Sequence, residues 1–212
     1  MPHDHHDHHG MSPSGHPYRA DQDAPLTYYQ QMEIAVRELL VEKGVATEAE
    51  INDQIAAMDD RSPALGAKVV ARAWTDPNFK ARLLADGSAA CREMGVEVEA
   101  MKLLVVENTP DTHNVVVCTL CSCYPRNLLG LPPDWYKQRA YRSRTVREPR
   151  AVLSEFGLDI PDSVTVQVHD STADMRYLVL PMRPAGTDGW DEAALTATLT
   201  RDCMIGVAVP KA

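Results

Sequence analysis

Val115-Val116-Val117-Cys118-Thr119-Leu120-Cys121-Ser122-Cys123-Tyr124-Pro125-Arg126 carries a β-branched run straight into three cysteines and then a proline. The valines read as a buried strand, and the cysteines as a tight turn at its end. Three of the five cysteines fall between residues 118 and 123; the others, Cys91 and Cys203, sit in apolar company and read as buried core thiols. An odd count in a chain without an export signal argues against a disulfide framework, and a Cys121–Cys123 bridge would be strained. A closed zinc site takes four ligands, with a second pair some ten to twenty residues away, roughly. Here the nearby histidines are His113, five residues upstream, and the distant His169. Both read as hydrogen-bonded structural groups. A local claw of three thiolates leaves coordination positions free, as catalytic sites do, and soft sulfur selects a thiophilic transition metal. The single residue between Cys121 and Cys123 also brings peptide nitrogens close to the metal. They can become ligands if the ion is acidic enough to displace their protons.

The rest of the chain limits what such a site can serve. It has 212 residues, 44% hydrophobic, enough for one sizeable core with a smaller appendage. The net charge is −9, from 30 acidic and 21 basic residues, which disfavours nucleic acid as a partner. No apolar run approaches the roughly 18–20 residues that span a bilayer, and nothing resembles a signal peptide, so a cytoplasmic location is expected. Residues 1–25 begin MPHDHHDHHG and read as a disordered tail, with a metal-holding reservoir as the sharper alternative.

Helical spacing dominates residues 26–100. One helix is expected over 27–43, stopped by Gly44, and a second from Thr47, whose TEAE string is a capping box, to about Met58. A third runs from about Pro63 to Trp74, and Asp76-Pro77 opens a fourth. The pattern changes near residue 102. Strands are expected at 103–106, 115–117, 164–168, 176–180 and 205–209, a loop at 125–133, and helix over 135–156 and 191–200. The fold class is therefore α+β: a helical N-terminal region, 26–100, before a compact metal-binding domain, 101–212. Arg139, Arg142, Arg144, Arg147 and Arg150 form a helix face that is solvated or, as favoured here, interfacial. Trp74, Trp135 and Trp190 read as packing anchors.

The cluster, preceded by VVENTP and followed by LGLPPDWYK, resembles the metal-binding region of nitrile hydratase α subunits. Thr119, giving CTLCSC, is similar to the cobalt type. The likeness extends through VVARAWTDPNFKARLLADG at 69–87, REPRAVLSEFG at 147–157, RYLVLPMRPAGTDGW at 176–190 and RDCMIGVAVP at 201–210. It implies the multilayer α/β/β/α-like fold of that subunit. It implies one Co(III) held by the sulfurs of Cys118, Cys121 and Cys123 and the amide nitrogens of Ser122 and Cys123. It implies Cys121 as sulfinate and Cys123 as sulfenate, with Cys121, Ser122 and Cys123 catalytic. A β subunit supplies arginines to those oxygens and half of the pocket. Arg176 resembles the arginine that reaches toward that subunit, and Glu107 and Tyr124 are expected beside the ligands. The implied reaction is hydration of a nitrile to an amide.

One position departs from the pattern. Cobalt nitrile hydratases usually carry tryptophan where this chain has Arg126, and the γ subunit of the related thiocyanate hydrolase has CSCYPR. An indole suits an organic nitrile, and a guanidinium suits an anion. The nitrile reading is preferred, with thiocyanate as the alternative and a surface or interface ion pair as the bland explanation of Arg126. A non-catalytic metal-binding or zinc-bound structural subunit is a further alternative.

Overall fold

The computed structural model describes residues 25–59, 61–98 and 102–212. The expected tail over 1–25 thus lies outside the described residues, Pro25 excepted. The described residues form two compact units, one up to Asp53 and one from Gln54 onward. The change from helix to strand near residue 100 is therefore not where the units divide.

In the first unit, α1 (Tyr28–Glu42) starts at a capping box in which Thr27 and Gln30 satisfy each other's backbone N–H groups. The expected box at Thr47 opens α2 (Glu48–Asp59), of which residues 48–53 belong to this unit and the rest to the second: the Thr47 N–H donates to Glu50 at 2.8 Å, and the Glu50 N–H donates to Thr47 Oγ1 at 3.2 Å. No residue of α1 is buried. Its apolar positions Tyr29, Met32, Val36 and Leu40, with Ile51 of α2, line a shallow groove.

The second unit holds the core. Helices α3 (Ala64–Thr75), α4 (Pro77–Ala85) and α5 (Gly87–Glu93) follow one another closely, with Asp76 and Asp86 capping the last two. Four strands follow: β1 (Lys102–Glu107), β2 (Thr112–Val117), β3 (Thr165–Asp170) and β4 (Met175–Leu180). They form two parallel pairs, β1 with β4 and β2 with β3. Parallel pairing requires a long crossover, and the β2–β3 crossover contains α6 (Arg126–Leu129), α7 (Asp134–Lys137), α8 (Arg139–Arg147) and α9 (Pro149–Glu155). The chain finishes with α10 (Glu192–Ala197) and α11 (Arg201–Ile205). Val69, Leu83, Leu103, Val115, Leu128, Leu153, Leu178 and Ile205 are buried in one continuous core.

Two expectations about local structure need correction. The 125–133 loop contains the helical turn α6, whose Leu128 and Leu129 are buried; Leu129 packs where Gly66 of α3 leaves no room for a Cβ. The final strand at 205–209 is absent: Thr200 caps α11, and Gly206 ends it in the left-handed region at φ 92°. A Cβ at Gly206 would lie 2.0 Å from the Asn114 carbonyl oxygen, so glycine is required sterically as well as conformationally.

That contact belongs to a buried polar cluster. His113 Nε2 donates to the Gly206 carbonyl at 2.7 Å, while its Nδ1 faces the Asn108 side-chain amide at 3.3 Å. Asn108 Oδ1 accepts from the Asn114 N–H at 2.7 Å, and His169 Nε2 donates to Asn114 Oδ1 at 2.8 Å. Both histidines are thus structural, and burial lowers the pKa of each. Cys91 and Cys203 are buried, as expected. Trp74 donates to the Pro181 carbonyl, and Trp135 packs edge-on against Tyr141 and Phe156, but Trp190 stays exposed and anchors little. The arginine run is not a free face either. Arg144 pairs with Glu148 and Glu155, Arg150 caps the carbonyls of Ile160 and Val164, and Arg142 reaches the cysteine turn.

Candidate metal centre

Strand β2 delivers the cysteines. Val115, Val116 and Val117 are buried, and Cys118 follows at zero exposure. The β2–β3 register sets Val117 beside Asp170, which places the Asp170 carboxylate at the mouth of the turn. It accepts the Thr119 N–H at 2.9 Å and the Thr119 hydroxyl at 2.6 Å. The chain then doubles back so that the Cys121 N–H donates to Cys118 Sγ at 3.2 Å.

The three sulfurs converge. Cys118 Sγ lies 3.3 Å from Cys121 Sγ, which lies 3.0 Å from Cys123 Sγ, and all three atoms fall within 4.8 Å of one another. Cys118 and Cys123 are buried, whereas Cys121 is exposed. A hydrogen bond from the Cys123 thiol, aided by Cys118 and by the amides of Cys123 and Ser122, holds the Cys121 thiol down to about 7. Burial pushes the Cys123 thiol up to about 12, its bond to Cys121 adds to this, and the Arg176 charge opposes it. A bound cation would favour ionisation of all three sulfurs.

This donor set fits a thiophilic transition metal. Three sulfurs share one focus, and the peptide nitrogens of Ser122 and Cys123 lie in the turn between two of them. Among the described residues no other group of three metal-binding side chains is found.

A cleft of about 510 Å³ opens onto the exposed side of the claw. Cys121, Ser122, Cys123, Tyr124, Arg126 and Arg176 line it, so six of the expected site residues meet there. Gln54, Met58 and Arg61 complete the wall, and no motif marks them in the sequence. Glu107 is placed elsewhere: it ends β1 in an ion pair with Lys80 and is not among the cleft residues. Tyr124 is buried, its ring packs edge-on against Tyr136, its hydroxyl donates to the Leu129 carbonyl, and burial raises its pKa. Other residues hold the claw from behind: Tyr136 donates to the Cys123 carbonyl and Arg142 to the Cys121 carbonyl, both at 2.9 Å.

A three-sulfur claw on the end of a parallel strand pair, with an open side, defines a transition-metal protein with a substrate-accessible centre. The comparisons give the family. The family described as "Nitrile hydratase, alpha chain" matches residues 27–208. The cobalt-containing nitrile hydratase subunit alpha of Pseudonocardia thermophila is 53% identical over 182 residues, 84% of this chain and 89% of the relative. Thiocyanate hydrolase subunit gamma of Thiobacillus thioparus is 44% identical over 195 residues, 86% of this chain and 80% of the relative. A solved double mutant of the Fe-type nitrile hydratase from Comamonas testosteroni Ni1 superposes with a TM-score of 0.83 at 47% identity, covering 89% of this chain and 93% of that one. The chain belongs to the nitrile hydratase α-chain family.

Proposed function

We propose that this chain is the metal-binding catalytic α subunit of a cobalt nitrile hydratase, which converts nitriles to amides together with a β subunit. The observation that carries the reading is the convergence of Cys118, Cys121 and Cys123, two of which, Cys121 and Cys123, line an open cleft. The cobalt-containing relatives support the choice of metal. Cys118, Cys121 and Cys123 would hold it through sulfur, and Ser122 and Cys123 through their amide nitrogens. Bound there, the metal supplies Lewis acidity toward a nitrile or a water.

The chain's own residues do the rest. Cys121 stands at the cleft as the sulfinate. Cys123, as the sulfenate, would offer an oxygen that takes the proton of an attacking water, or that attacks the nitrile carbon itself and is then replaced on sulfur by the oxygen of a water as the amide leaves. Tyr124 forms part of the cleft wall. The α1 groove lined by Tyr29, Met32, Val36 and Leu40 is an apolar face suited to a partner subunit. Among the described residues no helix is long and apolar enough to cross a membrane.

A second reading rests on Arg126. It lines the cleft with Arg61 and Arg176, and three guanidiniums beside the claw suit an anion such as thiocyanate. Co-expression with the neighbouring subunit or subunits, followed by assay on acrylonitrile and on thiocyanate, separates the two. Amide formation with cobalt-dependent colour supports the first. Carbonyl sulfide release without amide supports the second, and a colourless zinc protein defeats both.

A further inference from the structure

The claw is gripped from outside by one short stretch of chain. Tyr141 Oη donates to the Val116 carbonyl at 2.7 Å, Tyr136 Oη to the Cys123 carbonyl and Arg142 Nη1 to the Cys121 carbonyl. The tyrosines are core residues whose rings pack against one another. Arg142 is different. It leaves α8 half-buried to reach a solvent-facing turn, and its Nε is buried without a hydrogen-bond partner. A guanidinium on a surface helix gains little from such a placement unless the contact it reaches matters.

That contact controls one peptide. The 121–122 bond is trans, so its carbonyl and its N–H point to opposite sides of a plane. With the Cys121 oxygen held by Arg142, the Ser122 N–H must point to the opposite side of the peptide, away from Arg142. Turns flip such peptides by a paired change in two dihedrals that moves the flanking Cα atoms little. The flipped form would point an oxygen at the three sulfurs and leave a claw with one nitrogen fewer.

We propose that Arg142 is a positioning residue that locks the Cys121–Ser122 peptide, so that the Ser122 nitrogen and not the Cys121 oxygen faces the metal. The proposal rests on the reading of the claw as a cobalt site. A metal shell of sulfur and amide nitrogen favours a compact six-coordinate ion, whereas sulfur alone favours a tetrahedral one. Arg142 thereby selects the kind of centre the cysteines can form.

The test uses the α chain co-expressed with its partner in cobalt medium, as wild type, R142M and R142K. The readouts are the sulfur and nitrogen neighbours of cobalt by X-ray absorption, the visible spectrum, and the thermal midpoint. R142M should keep a midpoint close to wild type and all three sulfur neighbours. It should lose a nitrogen neighbour and gain the intense bands of tetrahedral cobalt thiolate. R142K, which keeps a charged donor, should recover most of the wild-type spectrum. An R142M protein with the wild-type nitrogen count overturns the proposal and leaves the cobalt reading intact. A sulfur-only shell in the unsubstituted protein overturns both. Should R142M fail to assemble, R142L carries the test without any donor: a full nitrogen count in R142L overturns the proposal equally.

Discussion

Asp170 receives both the amide and the hydroxyl of Thr119, at 2.9 and 2.6 Å, so one carboxylate at the end of β3 closes the first turn of the cysteine claw. The two residues are 51 positions apart and meet because the β2–β3 register sets Val117 opposite Asp170. Replacing Asp170 by Ala strands the Thr119 amide. Hydrogen bonds to a charged group are worth about 1.5–3 kcal/mol, and D170A should lower the stability by that order. Its cobalt content should fall too. Calorimetry and metal analysis check this, and an unchanged metal content in D170A would show that the turn holds without its strand anchor.

Each claw cysteine should be indispensable to the metal but not to the fold. C121S removes the exposed central sulfur without touching the core, so its midpoint should stay near that of metal-free wild type while sulfur-to-cobalt absorption disappears. C118S places a hydroxyl at a fully buried position and should cost about 1–3 kcal/mol in addition. Retained colour in C121S would remove that sulfur from the ligand set.

Maturation should be visible by mass. The cluster peptide from active protein is expected to carry two added oxygens on Cys121 and one on Cys123. An active preparation with no added oxygen would rule out the sulfenate as base or nucleophile.

Arg126→Trp exchanges a guanidinium for an indole in the cleft wall. The ratio of kcat/KM for a neutral nitrile over thiocyanate should rise at least tenfold, about 1.4 kcal/mol of discrimination. An unchanged ratio would place Arg126 at an interface and not in the substrate's path.

Stability should decline as the solution is acidified through the histidine range. In the fold, His113 donates through Nε2 and accepts from Asn108 through Nδ1, so it must be neutral. Burial holds the pKa of His113 and of His169 below the ordinary 6.5. A depressed histidine stabilises the fold above its unfolded value and loses that contribution as pH falls through about 6.5 toward the folded value. The carboxylates that bonding holds low, Glu50 and Asp76 among them, act in the same direction only below 4.5 and 3.8. The midpoint should therefore drop between about pH 7 and pH 5. A flat profile there would deny these imidazoles a role in stability.

Gly206→Ala should be among the most damaging single changes outside the claw. It strains a φ of 92° and drives a methyl into the Asn114 carbonyl. Strain of that kind costs on the order of 1–3 kcal/mol before the clash is counted. A midpoint equal to wild type would mean the α11 cap can move away from β2.

What the sequence showed depended on whether the signal was local. The cysteine spacing, the Thr47 box, the Asp76-Pro77 start and the β-branched strands are signatures a few residues long, and all recur in the structure. The strand expected at 205–209 is instead the last residue of α11 and the turn beyond it; Ile205-Gly206-Val207-Ala208-Val209 is apolar throughout and so imitates a buried strand. Thr200 and Gly206, the actual start and stop of α11, were the cues to weigh. Glu107 was expected near the ligands on resemblance and instead pairs with Lys80. Asp170, Tyr136 and Arg142 act on backbone atoms 13 to 51 residues away, and no spacing rule reports a tertiary hydrogen bond to a backbone N–H or carbonyl.

The β2–β3 pair is parallel, so the claw and the helices that grip it lie within a single crossover that begins at Cys118 and returns at Thr165. A synthetic peptide spanning the three cysteines would own the sulfurs but none of the outside grips, and should bind metal without a defined geometry. Grafting this centre onto another scaffold therefore means moving the whole crossover with both of its strands; the six-residue motif is its address, not its blueprint.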